Sequence, residues 1–189
     1  KQFPQDASES IIAELQQIYI HNNGFEIIPY HLKPTIKSNK ILYSSLFIKR
    51  KTNGIIKSRL VANGSTQDKS NRDTYSPTLS NTGLLLLIKI AATHKLKITT
   101  MDICNAFLHS EIDEELYLQL PRYLYKYMES IDPTVTSYKS PDNDLLVRLN
   151  KSIYGLIQSS QLFNQLLSNF IITTFQLQQS EMDSCIYFK

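Results

Sequence analysis

"ILYSSLFIKRKTNGIIKSRLVANG", residues 41–64, decides how the chain is read. Two runs rich in aromatic and β-branched residues flank Asn53-Gly54, the pair favoured in tight hairpin turns, so the stretch is predicted to be a β-hairpin. Strand pleating puts Lys57 and Arg59 on one face, with Ser58 and Leu60 on the other. With Lys49, Arg50 and Lys51 nearby, the hairpin is strongly cationic.

Upstream, residues 7–24 carry Ile11, Leu15 and Ile18 at helical spacing. Ser8 or Ser10 is a candidate cap, and Asn23-Gly24 a stop. A short strand is predicted from Phe25 up to Pro29, then a loop to Lys40. Downstream, residues 65–81 are polar and aperiodic and read as an irregular loop. From Thr82 to about His94 the chain is apolar nearly all round, which predicts a buried helix. "KLKITTMDI" (95–103) alternates like a strand and delivers Asp102 near its end. "NAFLHSEIDEE" reads as a turn or short helix and "LYLQLP" as a strand with Leu116, Leu118 and Leu120 alternating. Residues 122–144, with Pro133, Pro141 and many Ser, Thr and Asp, read as an inserted loop. Residues 145–150 look like a strand, 151–160 like a loop entering a helix, and 161–175 like a helix with Phe163, Leu166, Leu167 and Phe170 at three-and-four spacing. "SCIYF" reads as a last strand. The pattern is α+β: helices packed on one side of a mostly antiparallel sheet, with a projecting basic β-hairpin.

Composition sets the outer limits. The 189 residues are 42% apolar, well above the level of disordered chains. A net charge of +3 permits nucleic-acid binding without demanding it. Cys104 and Cys185 fit neither a disulfide framework nor a zinc pattern, and a reducing compartment is the natural reading. The most apolar run, residues 84–92, is far shorter than the ~20 residues of a membrane-spanning helix, and the first ten residues lack a signal-peptide core. Beginning at Lys1, the sequence is expected to come from a longer chain.

Read alone, Asp102 is either a cap on the turn after it or a metal ligand. Asp113, Glu114 and Glu115 read as a solvated face, and Asp183 as a cap before the last strand. Pairing Asp102 with Asp183 in a small metal-dependent phosphohydrolase lacks a further clustered ligand.

"KSRLVANGSTQ", "TYSPTLS", "MDICNAFLHSEIDEELYLQLP", "VRLNKSIYGLIQS" and "DSCIYF" occur in an order and spacing that resemble the reverse transcriptase of copia-type LTR retrotransposons. "FEIIP" and "LYSSLFIKRKTNG" resemble that family's entry into the fingers, so the likeness spans nearly the whole chain. It implies a right-hand polymerase, with residues 1–95 mainly fingers, 96–121 the first palm segment, 122–144 an inserted loop, and 145–189 a second fingers and palm segment. The implied chemistry is two-metal nucleotidyl transfer with Mg2+ or Mn2+. The implied partners are an RNA or DNA template-primer, a deoxynucleoside triphosphate, and the remaining palm, thumb, ribonuclease H and integrase parts of a Pol polyprotein. The implied location is cytoplasmic, in a virus-like particle, with a nuclear phase.

Residue by residue, Asp102 matches the family's first metal-binding aspartate. Phe107 matches the aromatic beneath the incoming sugar, against a plain core aromatic. Backbone amides from Ile103 onward would meet the triphosphate. Arg59, and with less support Lys57, match cations that grip the triphosphate, a pairing suited to guanidinium geometry. Gly155 matches a glycine near the templating base pair, with Tyr154 and Gln158 beside it; a helix-entry glycine is an equal reading. The sequence departs from the family at Asn63, Ile157, Ser159-Ser160, Gln161 and Phe163, and holds no Tyr-x-Asp-Asp box. The chain is therefore expected to be catalytically incomplete alone. The alternative is a non-catalytic nucleic-acid-binding relic of such an element.

Overall fold

The sheet is built around Leu118, Val147 and their neighbours. The computed structural model describes residues 4–68 and 74–189; residues 69–73 of the predicted 65–81 loop lie outside them. Strands β1 (Phe25–Ile28), β2 (Ile41–Arg50), β3 (Ile56–Ala62), β4 (Tyr117–Leu120) and β5 (Leu145–Leu149) form a sheet in the order β1-β5-β4-β2-β3. Three of its pairings are antiparallel, and β2 runs parallel to β4, with Leu42 opposite Leu118. Alternation decides what each strand buries: Leu42, Leu60, Leu118, Leu120, Val147 and Phe25 all lie in one core.

Helix α1 (Gln5–Gln16) lays Ile11 and Leu15 onto that core and packs across β3. It begins at Gln5 with Pro4 in the capping position, so neither Ser8 nor Ser10 caps it. Ser10 lies one turn further in and has a different use, as does Glu14. Strand β3 is an edge of the sheet, yet its outward N–H groups are satisfied. Ser58 N–H donates to Ser10 Oγ (2.8 Å), Leu60 N–H to Glu14 Oε1 (3.0 Å) and Ala62 N–H to the Tyr154 carbonyl (2.8 Å). An edge strand left open invites pairing with another chain; here a helix and a loop close it.

The β2–β3 hairpin forms in the predicted place with a wider turn. Arg50 faces Ile56, and residues 51–55 make the connection. Lys51 N–H donates to the Ile55 carbonyl, and Gly54 N–H to the Lys51 carbonyl. Gly54 takes the left-handed conformation at φ +83°, which explains glycine there without a two-residue turn.

Three regions differ from expectation. Residues 122–144 are mostly helical rather than a loop: a 3-10 turn, α3 (Tyr125–Ile131) and a second 3-10 turn bury Leu124, Tyr127, Met128 and Val135 against α1 and the sheet. The polar composition hid a four-residue apolar spacing. Helix α2 (Asn81–Thr93) forms, capped by Ser80, but is not buried: Leu84, Leu85, Leu86 and Ile88 are exposed, and Gly83 alone among its residues is enclosed. Its apolar circumference calls for partners on every side, and the described residues supply chiefly the 183–186 turn, where Asp183 accepts from Ser80 N–H. Residues 95–103 form no paired strand and are exposed, Met101 by 92%. Alternation makes a segment able to pair, but pairing needs a free edge beside it.

Helix α4 (Ser159–Phe175) follows, and β6 (Gln178–Gln179) with β7 (Tyr187–Phe188) forms a small hairpin. No helix among the described residues is long and apolar enough to cross a membrane.

Candidate functional site

The register of β2 and β3 aligns Lys49 with Lys57 and Phe47 with Arg59. Ser58 and Leu60 point into the core, so Lys57 and Arg59 point the other way, as pleating predicts. Two adjoining clefts meet at Lys57, Arg59 and Tyr154. One, about 290 Å³, is lined by Glu14, Lys57, Arg59, Asp102, Ile103, Cys104, Asn105 and Tyr154. The other, about 520 Å³, has Phe47, Val61, Tyr154 and Gly155 as its apolar wall and Lys49, Lys51, Lys57 and Arg59 as its cations.

Tyr154 organises the junction. The Arg59 guanidinium lies 4.6 Å from its ring centre, and the Phe107 ring meets it edge-on at 4.7 Å. Phe107 in turn stands 6.3 Å from Phe163. Phe107 does not line the cleft that holds Asp102. It sits behind it, in a crevice of about 20 Å³ shared with Glu14, Asn105, Leu108 and Tyr154.

Asp102 is exposed at the end of the unpaired 95–103 segment, so no strand pairing holds it. The backbone turns just after it, at Asn105, with φ +54°. That left-handed residue leads into the 3-10 turn Ala106–His109. Asparagine tolerates this conformation better than most residues. Asp183 is elsewhere, accepting from Ser80 and Cys185 N–H groups, which matches its reading as a cap.

Gly155 has a local structural reason. Its φ is +93°, and a Cβ there would lie 2.0 Å from the Ala62 carbonyl oxygen. The 154–155 backbone is laced onto the end of β3, with Gly64 N–H donating to the Gly155 carbonyl. Gln158 does not face either cleft. It is fully buried, accepts from Gln67 Nε2 (3.0 Å) and donates to Glu114 Oε1 (3.2 Å). Glu114 also holds Lys40 at 2.6 Å, so one residue of the supposed solvated acidic face is a structural anchor. Asn63, one of the positions where the sequence departs from the resemblance, accepts from Ser65 N–H and its hydroxyl, and so caps the Gly64–Thr66 turn.

Sequence reading missed Glu14. It stands in helix α1, outside every matched motif, yet lines both the Asp102 cleft and the crevice behind it. Burial pushes its carboxyl above the usual carboxylate range; the Leu60 N–H and the charges of Lys57 and Arg59 pull it partway back. The one available signal was its position one residue from Leu15 on the core face.

Among the described residues, no three Asp, Glu, His or Cys side chains gather as a metal site. Asp102 is one carboxylate, and Glu14 is tied to a backbone amide and shares its cleft with the cations Lys57 and Arg59. That set does not fit a complete magnesium site, which needs several oxygen ligands.

The fold is thus mixed α/β, with a cleft lined by Lys49, Lys51, Lys57 and Arg59 beside the sheet's β2–β3 edge. Residues 33–189 match the family described as "Reverse transcriptase (RNA-dependent DNA polymerase)", and the chain belongs to that family. More particularly, it is similar to retrotransposon polyproteins of Saccharomyces cerevisiae. It is 27% identical over 181 residues to the Truncated transposon Ty1-A Gag-Pol polyprotein, covering 95% of this chain and 14% of that protein. To the Transposon Ty1-DR5 Gag-Pol polyprotein it is again 27% identical, covering 95% of this chain and 9% of the relative. The copia-type resemblance holds, and the chain spans only about a tenth of these relatives' length. No solved structure matches.

Proposed function

We propose that the chain forms the fingers and the first part of the palm of an RNA-directed DNA polymerase, working on a template-primer within a Pol polyprotein. Arg59 and Lys57 hold the triphosphate of the incoming nucleotide. Ile103 and its neighbours approach that triphosphate through their backbone. Phe107, edge-on against Tyr154 behind the cleft, backs the wall of the sugar pocket, and Tyr154 with Gly155 lies next to the template pair. Asp102 is the carboxylate this chain contributes toward a divalent ion. The described residues do not by themselves complete a metal site.

One observation carries the reading: Asp102, Lys57 and Arg59, distant in sequence, line a single cleft of about 290 Å³. A guanidinium and an ammonium on one face of a strand suit a polyanion, the first by paired hydrogen bonds and the second as a point charge. The relatives being Gag-Pol polyproteins supports the same assignment.

The test is a titration of the chain with a fluorescent deoxynucleoside triphosphate, with and without Mg2+. Arg59→Ala should weaken binding on the order of tenfold or more, the cost of losing charged hydrogen bonds. Asp102→Asn should remove any tightening that Mg2+ provides. Equal affinity for wild type and Arg59→Ala would end the assignment. The second reading, nucleic-acid binding without catalysis, draws on Phe47, Lys49 and Lys51 around the larger cleft. It predicts salt-dependent binding of single-stranded oligonucleotide that Asp102→Asn leaves unchanged.

A further inference from the structure

The carboxylate of Glu14 lies where a polyanion would want no negative charge. It reaches the cleft from helix α1, which belongs to none of the motif-bearing segments, and shares that cleft with Lys57, Arg59 and Asp102. Its position is not accidental side-chain wandering, because Oε1 is held at 3.0 Å by the Leu60 N–H, the residue after Arg59. The two cations on β3 act on it electrostatically, and it is partly desolvated. A carboxylate partly removed from water interacts more strongly with cations in the same cleft than a surface one does, since less water screens it.

We propose that Glu14 is a positioning residue for the phosphate-binding cations: tethered to β3 through Leu60, its carboxylate is the resident counter-anion of Lys57 and Arg59, and a triphosphate takes those cations in competition with it. The inference rests on the nucleotide-binding reading above. Without Glu14, Lys57 and Arg59 would repel one another across one strand face and spread into solvent. With it, they are held over the cleft, and weakly bound anions are turned away. A triphosphate carries enough charge to prevail, whereas a single phosphate or carboxylate does not. Selectivity for polyphosphates then follows from the competitor built into the site.

The experiment compares wild type, Glu14→Gln, Arg59→Ala and the double variant, using thymidine triphosphate, thymidine monophosphate and uncharged thymidine as probes. Gln keeps an oxygen for the Leu60 N–H and removes the charge, so the fold is retained; an unchanged circular dichroism spectrum and a melting temperature no lower than that of wild type verify this. Glu14→Gln should tighten triphosphate binding about two- to fivefold, the worth of a partly screened charge pair. It should tighten monophosphate binding at least as much, narrowing selectivity, and leave thymidine unaffected. On the Arg59→Ala background the gain should shrink, because the partner is gone. A merely structural glutamate would show none of this charge dependence. If wild type binds triphosphate and Arg59→Ala weakens it, yet Glu14→Gln changes nothing or weakens binding, the counter-anion role is wrong while the cleft assignment stands. If wild type binds no triphosphate, the cleft assignment fails and the counter-anion role fails with it.

Discussion

The guanidinium of Arg59 lies 4.6 Å from the centre of the Tyr154 ring. The two residues come from distant parts of the chain, yet backbone hydrogen bonds from Ala62 and Gly64 clamp the 154–155 segment to the end of β3 and make their meeting obligatory. A cation over an aromatic face is worth ~0.5–1 kcal/mol at an exposed site and more when desolvated. Tyr154→Leu is therefore expected to lower stability by about 1 kcal/mol, and Tyr154→Phe, which keeps the ring, by less. Urea denaturation of both, combined with Arg59→Ala in a double-mutant cycle, reads the coupling; additive losses would deny the contact any energetic role.

Two glycines with similar backbone angles should respond differently to alanine. Gly54, at φ +83°, has nothing within 4 Å of a built Cβ, so Gly54→Ala should cost about 1 kcal/mol from the left-handed conformation alone. Gly155, at φ +93°, adds a Cβ placed 2.0 Å from a backbone oxygen. Gly155→Ala should cost at least about 3 kcal/mol, since backbone must move. Chemical denaturation of the two variants checks the ranking, and equal losses would contradict the packing argument.

The folded-state pKa of Glu14 is raised by burial above 4.5, so folding favours its protonated form. Its contribution to stability is present below the unfolded pKa and is lost as pH rises through the folded value. Glu14→Gln should therefore be the more stable protein at pH 7, with the difference vanishing near pH 4. Denaturation midpoints between pH 4 and pH 7.5 test this, and a difference that grows on acidification would have the wrong sign.

Tyr19 gives the alkaline counterpart. Burial and the hydrogen bond its hydroxyl donates to Asp132 (2.7 Å) push its pKa up to about 12. Holding the proton stabilises the fold below pH 10, and this is lost as pH rises from 10 toward 12. Tyr19→Phe should flatten that part of the stability profile. At the acid end, hydrogen bonds from Thr134 and Tyr19 hold the Asp132 carboxyl below its usual value, so its contribution is present above the ordinary carboxylate pKa and disappears as pH falls through the depressed one. Asp132→Asn should remove that acid limb.

The two thiols should label at different rates. Cys104 is exposed and lines the cleft with Asp102. Cys185 is half-buried, and burial, with Asp183 beside it, pushes its thiol up and lowers its thiolate fraction. Maleimide labelling followed by mass spectrometry should find Cys104 modified first. Nucleoside triphosphate should slow that reaction if the cleft holds it; labelling indifferent to the nucleotide would count against the proposed site.

Much of this was legible in the residues themselves, because periodicity and turn chemistry are local. The alternation at Lys57, Ser58, Arg59 and Leu60 determined which side of β3 would be cationic. The run of Leu116, Leu118 and Leu120 announced a strand with one buried face, and Asn23-Gly24 announced a helix end. The five motifs determined the family. What alternation could not say was whether a partner lies alongside: among the described residues, 95–103 have the pattern of a strand and no pairing, and α2 has the pattern of a buried helix with little beyond the 183–186 turn to cover it. Composition likewise misjudged residues 122–144, whose few buried apolar side chains matter more than their many polar ones. Only tertiary structure decided which distant groups share a space. Glu14 and Gln158 are ordinary polar residues in one dimension; folding draws the first into the cleft with Arg59 and seals the second against Gln67 and Glu114, because backbone and side-chain hydrogen bonds between elements, invisible to any local pattern, must all be satisfied at once.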